Sequence, residues 1–445
     1  MMYDVVIVGA GPAGLSVASE LSKELKVLVI DGKKNIEDCT KSWFIPGSLV
    51  KDNPEVMPFM DKGILRLLTQ QKSGVSSCWD TKLKDGYYYV KEHDILKFWG
   101  DKATKQGADI ILDCLYCDHA KYDDHVEVDT TSGNFKAKLL IDASGHDSMI
   151  AKKYEKKDDY YWWSVYGAIV KHPNGLHDMK NGDYMLWQTF KDTNVSGEAT
   201  LRKGRPVFEY EILTEDSSFP LILYLRKSKV NKDVMHKEFM HVLYEEETTK
   251  QFDDCEIEEL KYGWYPSGGL TIKQAEDRVD FIGDAGCWTT PCGWGFGFIV
   301  DNYRGYSEAM IKLVKDDNLD KDTIEDIIDL NIHEKHEILF DAIASHFLAN
   351  ASPDELDKFI EFFNENEPLM CEKIFTLTID QDEIMDVGKR FFKKFSIFEL
   401  IKIFPKEDWG LILEEAKYFV ADFIIEEIQE LLGIDVEDEP GFDIR

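Results

Sequence analysis

Positive charge is scarce here: 52 Lys and Arg stand against 85 Asp and Glu, a formal charge of −33 over 445 residues. Nucleic acid would be repelled rather than exchanged for counterions, so it is excluded as a partner. The surplus of acid favours solubility and says little about chemistry. Long apolar runs are also missing, and none approaches the roughly twenty residues that span a bilayer. The N-terminus enters an apolar strand-like run with no basic segment or small-residue cleavage site, so a cytoplasmic chain is expected. Eight cysteines in this length make no disulfide framework. Cys114 and Cys117 form a C-x-x-C, but the run from Asp109 to Cys117 reads as a strand. An offset of three in a strand puts the two thiols on opposite faces, so neither a metal nor a dithiol is expected there. His333 and His336 lack H-E-x-x-H spacing and are not expected to bind metal.

What is present is a globular composition, 44% hydrophobic and 12% aromatic, at a length that implies two or three domains. Its first thirty-one residues organise the rest. Val5-Val6-Ile7-Val8 is a buried-strand run, and Gly9-Ala10-Gly11-Pro12-Ala13-Gly14 follows it. A helical stretch from Leu15 to Leu25 and a second apolar strand, Val27 to Ile30, lead to Asp31. This is the pattern of a dinucleotide site. Gly9 permits the tight turn, Gly11 lets backbone approach a diphosphate, and Gly14 lets the helix pack on the strand. The helix N-terminus offers free N–H groups and the positive end of its dipole. Asp31 stands where an acid accepts hydrogen bonds from an adenosine ribose.

A helix is expected from Asp94 to Gln106, and a hairpin around Thr131-Ser132-Gly133-Asn134. Leu139-Leu140-Ile141 is another buried strand, running into Asp142-Ala143-Ser144-Gly145. From Tyr160 to Tyr262 short aromatic strands separated by Asn-Gly, Ser-Gly and Lys-Gly turns predict an antiparallel sheet. Arg278 to Gly286 is a strand ending in Gly283-Asp284, and the loop to Gly295 and Phe298 is rich in glycine and aromatics. A helix should start near Ile299, and the last third is helical by periodicity. Between Lys389 and Lys406 basic residues interleave with phenylalanine around a lone Glu399. Such a helix either docks on a core with a solvated basic edge or lies in a membrane interface, which makes 389–406 the candidate for peripheral contact at the inner membrane face.

Three segments together carry a family likeness: Gly9 to Gly14 with Asp31, Asp142-Ala143-Ser144-Gly145, and Gly283-Asp284-Ala285 with Pro291 and Gly293. They resemble the fingerprints of FAD enzymes of the p-hydroxybenzoate hydroxylase type, within which the lycopene cyclase and geranylgeranyl reductase branch is most similar. The resemblance implies an α/β fold: a Rossmann-like, three-layer β/β/α FAD-binding domain, an antiparallel-sheet substrate domain and a C-terminal helical region. The FAD domain would comprise 1–155 and 262–306, with a substrate-side insertion near 45–86. The substrate domain would be 156–261 and the helical region 307–445. The implied FAD contacts are Gly9, Gly11, Pro12, Ala13, Gly14, Asp31, Lys91, Gly145, Gly283, Asp284, Pro291, Gly293 and Gly295. Cyclases carry a Phe-Leu-Glu-Glu-Thr stretch supplying a catalytic acid; the nearest match, Leu223-Tyr224-Leu225-Arg226-Lys227, has no carboxylate.

The flavin carries the chemistry, and the protein supplies position, electrostatics and exclusion of water. The reading that follows is an FAD-dependent oxidoreductase reducing a C=C bond of an apolar, isoprenoid-like substrate. The alternative is a flavin monooxygenase on an aromatic or lipid substrate; a non-redox cyclase and a non-catalytic flavin protein rank below both. Cys39, Cys292 and Trp294 are the candidate catalytic side chains. No second G-x-G-x-x-G opens a further βαβ unit, so the electron donor is unidentified.

Overall fold

A computed structural model describes residues 2–69, 81–154, 161–175, 182–188, 206–267, 275–286, 288, 295–329 and 381–403, with positions 347, 349, 355, 358, 359, 361, 362, 365 and 409. The chain divides into two compact units. One is Met1–Asp61, Tyr88–Asp159 and Gly269–Ile332; the other is Lys62–Tyr87, Tyr160–Gly268 and His333–Arg445.

In the first unit the apolar runs become β1 (Met2–Val8), β2 (Val27–Ile30), β3 (Asp109–Ile111), β6 (Gly133–Asp142) and β7 (Val279–Phe281). Four of these lie parallel in the order β3-β2-β1-β6, and β7 adds on the far side of β6. The N-terminal half of β6 also closes an antiparallel meander with β4 (Tyr116–Lys121) and β5 (Val126–Thr130). Alternate residues of the parallel strands enter two cores. Val5, Ile7, Val27, Val29, Leu139 and Ile141 face α1 (Pro12–Leu21), α2 (Glu92–Lys105) and α3 (Gly295–Asp316). Val6, Val8, Leu28, Ile30 and Leu140 face the meander with Val126 and Val128. Burial on both faces is why these strands read as unbroken apolar runs rather than alternating ones. Each fully buried Val, Leu or Ile contributes about 1.5–3 kcal/mol of transfer free energy. The unit is therefore three layers, β/β/α.

Two local expectations are corrected. The run Asp109–Cys117 is not one strand: β3 stops at Ile111, β4 begins at Tyr116, and Asp113 between them has a left-handed φ of 52°. The backbone N–H groups of Asp113 and Cys114 donate to the carbonyls of Lys33 and Asp31, which draws the chain away from the ladder. Cys114 is buried in this bend and Cys117 is exposed on β4. The helix expected near Ile299 starts at Gly295. A Cβ on Gly297 would stand 3.2 Å from Leu49 and 3.4 Å from Pro46, so a glycine lets the first turn lie against them.

In the second unit a sheet runs through Glu256–Ser267, Tyr161–Lys171, Ser217–Arg226, Val207–Ile212 and Asp183–Gln188, each antiparallel to its neighbour. Strand Met60–Thr69 then joins in parallel, beside Thr81–Val90. Tyr166, Phe208, Tyr210 and Tyr224 pack on the helix Lys232–Tyr244 through Met235, Phe239, Val242 and Leu243. The cross-strand pairs Trp163–Leu225, Val165–Leu223 and Gly167–Leu221 lie on the opposite face. The described residues of the basic, Phe-rich stretch fall in two helices, Gln381–Lys394 and Ile397–Ile403. They part at Ser396, where Ser396 N–H donates to Glu399 at 2.8 Å and Glu399 N–H returns to Ser396 Oγ, a capping box. Phe391 and Phe395 turn onto Phe347, and Leu400 and Ile403 are buried.

Candidate cofactor site

The three sequence motifs meet at the C-terminal ends of β1, β6 and β7. Gly9 holds a φ of +114°, and a Cβ there would fall 2.2 Å from the Ala143 carbonyl oxygen. A Cβ on Gly14 would fall 1.9 Å from the Gly9 carbonyl oxygen. Both positions therefore require glycine to bring loop, helix and second motif together. Ala143 N–H donates to the Val8 carbonyl and Ile282 N–H to the Asp142 carbonyl, each at 2.8 Å, which ties the motifs in series. Gly283 (φ +62°) approaches α1 so closely that a Cβ would lie 2.9 Å from that of Ala13.

Gly11 differs from its neighbours, since a Cβ there would meet nothing within 4 Å. It is the N-cap of α1, with Pro12 in the first turn, no side-chain cap and no acid within that turn. The turn thus presents uncompensated N–H groups and a positive dipole end toward open space, a geometry that suits a diphosphate. Asp31, at the end of β2, accepts from Ala10 N–H at 2.6 Å and Lys33 N–H at 2.8 Å. Lys33 Nζ reaches back to the Ala10 carbonyl at 2.7 Å, and burial pushes its ammonium below the usual lysine range against the pull of Asp31. Asp142 is fully buried and accepts from Ser144 and Ser148, so it braces the second motif from within. Gly145 has a φ of +84°, with open space where a Cβ would be.

Asp284 is the acid of the third motif, on the short turn Gly283–Gly286. Lys41 Nζ lies 3.2 Å and His146 Nδ1 3.7 Å from its Oδ2. Burial alone would raise this carboxyl, but the Lys41 charge and the His146 contact hold it well below the usual carboxylate range. Sequence reasoning missed both partners; the only signal was that His146 directly follows the second motif. Lys33 was missed likewise.

Of the other candidates, Lys91 is the N-cap of α2, where its N–H donates to the Phe59 carbonyl. Gly295 is buried at the start of α3. Cys39 is half-buried against the helix-side core, with Sγ 3.6 Å from the Lys41 carbonyl. Pro291, Cys292, Gly293 and Trp294 lie outside the described residues.

A parallel sheet whose strand ends converge on a glycine turn is a dinucleotide-binding architecture. Comparison with known proteins shows the same fold elsewhere. A model of the lycopene cyclase protein family matches residues 4–52. The chain is 23% identical over 233 residues to the chromoplastic capsanthin/capsorubin synthase of Capsicum annuum, and 22% identical over 231 residues to the chloroplastic neoxanthin synthase of Solanum lycopersicum. Each match covers 47% of this chain and 41% of the relative, so the chain spans about two fifths of the curated relatives' length. Among solved structures, a geranylgeranyl bacteriochlorophyll reductase-like protein from Thermoplasma acidophilum superposes with a TM-score of 0.69 at 16% identity, covering 92% of this chain and 99% of that one. The p-nitrophenol 4-monooxygenase of Pseudomonas putida gives 0.62 at 15% identity (86% and 98%), and halogenase PltM with phloroglucinol and FAD gives 0.60 at 13% (97% and 95%). The fold is the one shared by that reductase-like protein, that monooxygenase and that halogenase.

Proposed function

We propose that this chain is an FAD-dependent oxidoreductase that reduces a C=C bond in an apolar, isoprenoid-like substrate. The cofactor cradle carries the reading: an uncapped helix end at Gly11, with Asp31 and Asp284 flanking it, fits a molecule with a diphosphate between two polyol groups. The Gly9–Gly14 turn and α1 would take the diphosphate, Asp31 the adenosine ribose and Asp284 the ribityl chain. Bound FAD supplies two-electron transfer. An apolar substrate is favoured by the likeness to a geranylgeranyl reductase-like protein. The electron donor is a separate molecule in this reading, and 389–406 remains the segment to examine for membrane contact.

The test is to reduce the flavoprotein with dithionite without oxygen, then add a geranylgeranyl lipid. Reoxidation of the flavin with saturation of the lipid, seen by mass spectrometry, is expected. Flavin that only oxygen reoxidises would overturn the reductase reading. Oxygen uptake in step with a hydroxylated product would establish a monooxygenase.

A further inference from the structure

Two side chains gather on one oxygen of Asp284. Lys41 and His146 converge on Oδ2, while Oδ1 takes no polar contact among the described residues. His146 is largely buried, follows the left-handed turn at Gly145, and carries Asp147 at 3.2 Å on its other nitrogen. Lys41 sits on the loop after β2, where its own carbonyl is met by the Cys39 thiol. The Asp284 backbone is fixed in turn by the close approach of Gly283 to Ala13. Three segments, remote in sequence, have been brought together to hold one carboxylate.

The electrostatics of the cradle give this a purpose. A diphosphate at the N-terminus of α1 brings negative charge close to Asp284, and like charges in a half-buried site repel. The repulsion would either swing the carboxylate away or protonate it. Lys41 on Oδ2, with the His146 ring beside it, opposes both outcomes and leaves Oδ1 as a directed acceptor.

Resting on the FAD reading, we infer that Lys41 and His146 are positioning residues. They clamp one oxygen of Asp284 and present the other to the ribityl hydroxyls of the cofactor. Lys41 acts through Asp284 and does not itself touch the flavin.

A double-mutant cycle read by FAD titration of the flavin-stripped chain tests this. Wild-type binding is measured first. If the wild-type chain takes up no FAD, the cofactor reading and the clamp fall together. If it binds, Lys41→Met and Asp284→Asn should each raise the FAD Kd about tenfold, as expected for loss of a hydrogen bond to a charged group. The double variant should be no weaker than Asp284→Asn alone, and Lys41→Arg should restore most of the affinity. Wild-type affinity in Lys41→Met would overturn the clamp while leaving the FAD reading intact. So would a Lys41→Met loss that persists in the Asp284→Asn background, because Lys41 would then contact the ligand directly. Thermal melting of each apo variant checks folding. Should Lys41→Met fail to fold, His146→Ala enters the same cycle with the same two deciding outcomes.

Discussion

The Trp43 indole lies face to face with the Phe296 ring, centroids 5.0 Å apart and planes within 7° of parallel. Phe296 is the second residue of α3, and it also touches Trp99 from α2. The stack therefore joins the loop after β2 to the start of the helix that follows the glycine-rich loop. Trp43→Ala should destabilise the first unit by about 3 kcal/mol, the usual range for removing a large aromatic. Trp43→Phe should lose about 1 kcal/mol, since it keeps a ring on Phe296. Urea denaturation of both variants gives the comparison.

Gly11 and Gly14 should behave oppositely although they are three residues apart. Gly14→Ala forces a methyl onto the Gly9 carbonyl and should lower stability by several kcal/mol or prevent folding. Gly11→Ala adds its methyl to open space and should melt within a few degrees of wild type. It should nevertheless weaken FAD binding about tenfold or more, because the methyl stands where the diphosphate must approach. Equal FAD affinity in Gly11→Ala would place the cofactor elsewhere.

His119 should make the fold acid-sensitive. Its ring is buried between Tyr116 and Tyr154, with Nδ1 2.6 Å and Nε2 2.7 Å from their hydroxyls. Burial, then the nearby Lys153 charge, lowers its pKa to about 4. An unfolded chain takes up this proton near pH 6.5, whereas the folded chain resists until about pH 4. The stabilisation is thus complete above pH 6.5 and is lost as pH falls through that window, on the order of 3 kcal/mol in all. His119→Gln should flatten the slope of stability against pH between 6.5 and 4, measured by denaturation at a series of pH values. An unchanged slope would assign the acid sensitivity to other groups.

Cys39 offers a test of mechanism separate from binding. Cys39→Ser should leave FAD affinity unchanged and, if the thiol takes part in turnover, slow the reoxidation of reduced flavin by substrate. Stopped-flow traces that overlay those of wild type would remove Cys39 from the reaction.

The cofactor half of the site was legible in sequence because its signals are local. Gly9, Gly11 and Gly14 fall at fixed spacing between two apolar runs, and Asp31 ends the second. The remainder depends on chain segments that only folding brings together. Lys41 and Asp284 are 243 residues apart, and nothing around either one announces the other. The strand expected through Cys114 failed for a related reason. Its pattern is strand-like, but the carbonyls of Asp31 and Lys33 draw its backbone out of the sheet at Asp113. The break at Ser396 was readable in principle, since Ser396-Ile397-Phe398-Glu399 spells a capping box within an apparently continuous amphipathic run.

Arg278 closes the first unit by an unusual grip. With its backbone at a left-handed φ of 60°, its guanidinium donates to the carbonyls of Asp123 and Lys138 and to the carboxylate of Asp317. The grip cannot form until the segment carrying Arg278, Asp284 and Asp317 has been made, long after Gly9 to Gly14 left the ribosome. A nascent chain therefore carries the phosphate turn through most of its synthesis without the acid that completes it. A chain truncated before residue 278 would hold the recognisable glycine motif without Arg278 or Asp284.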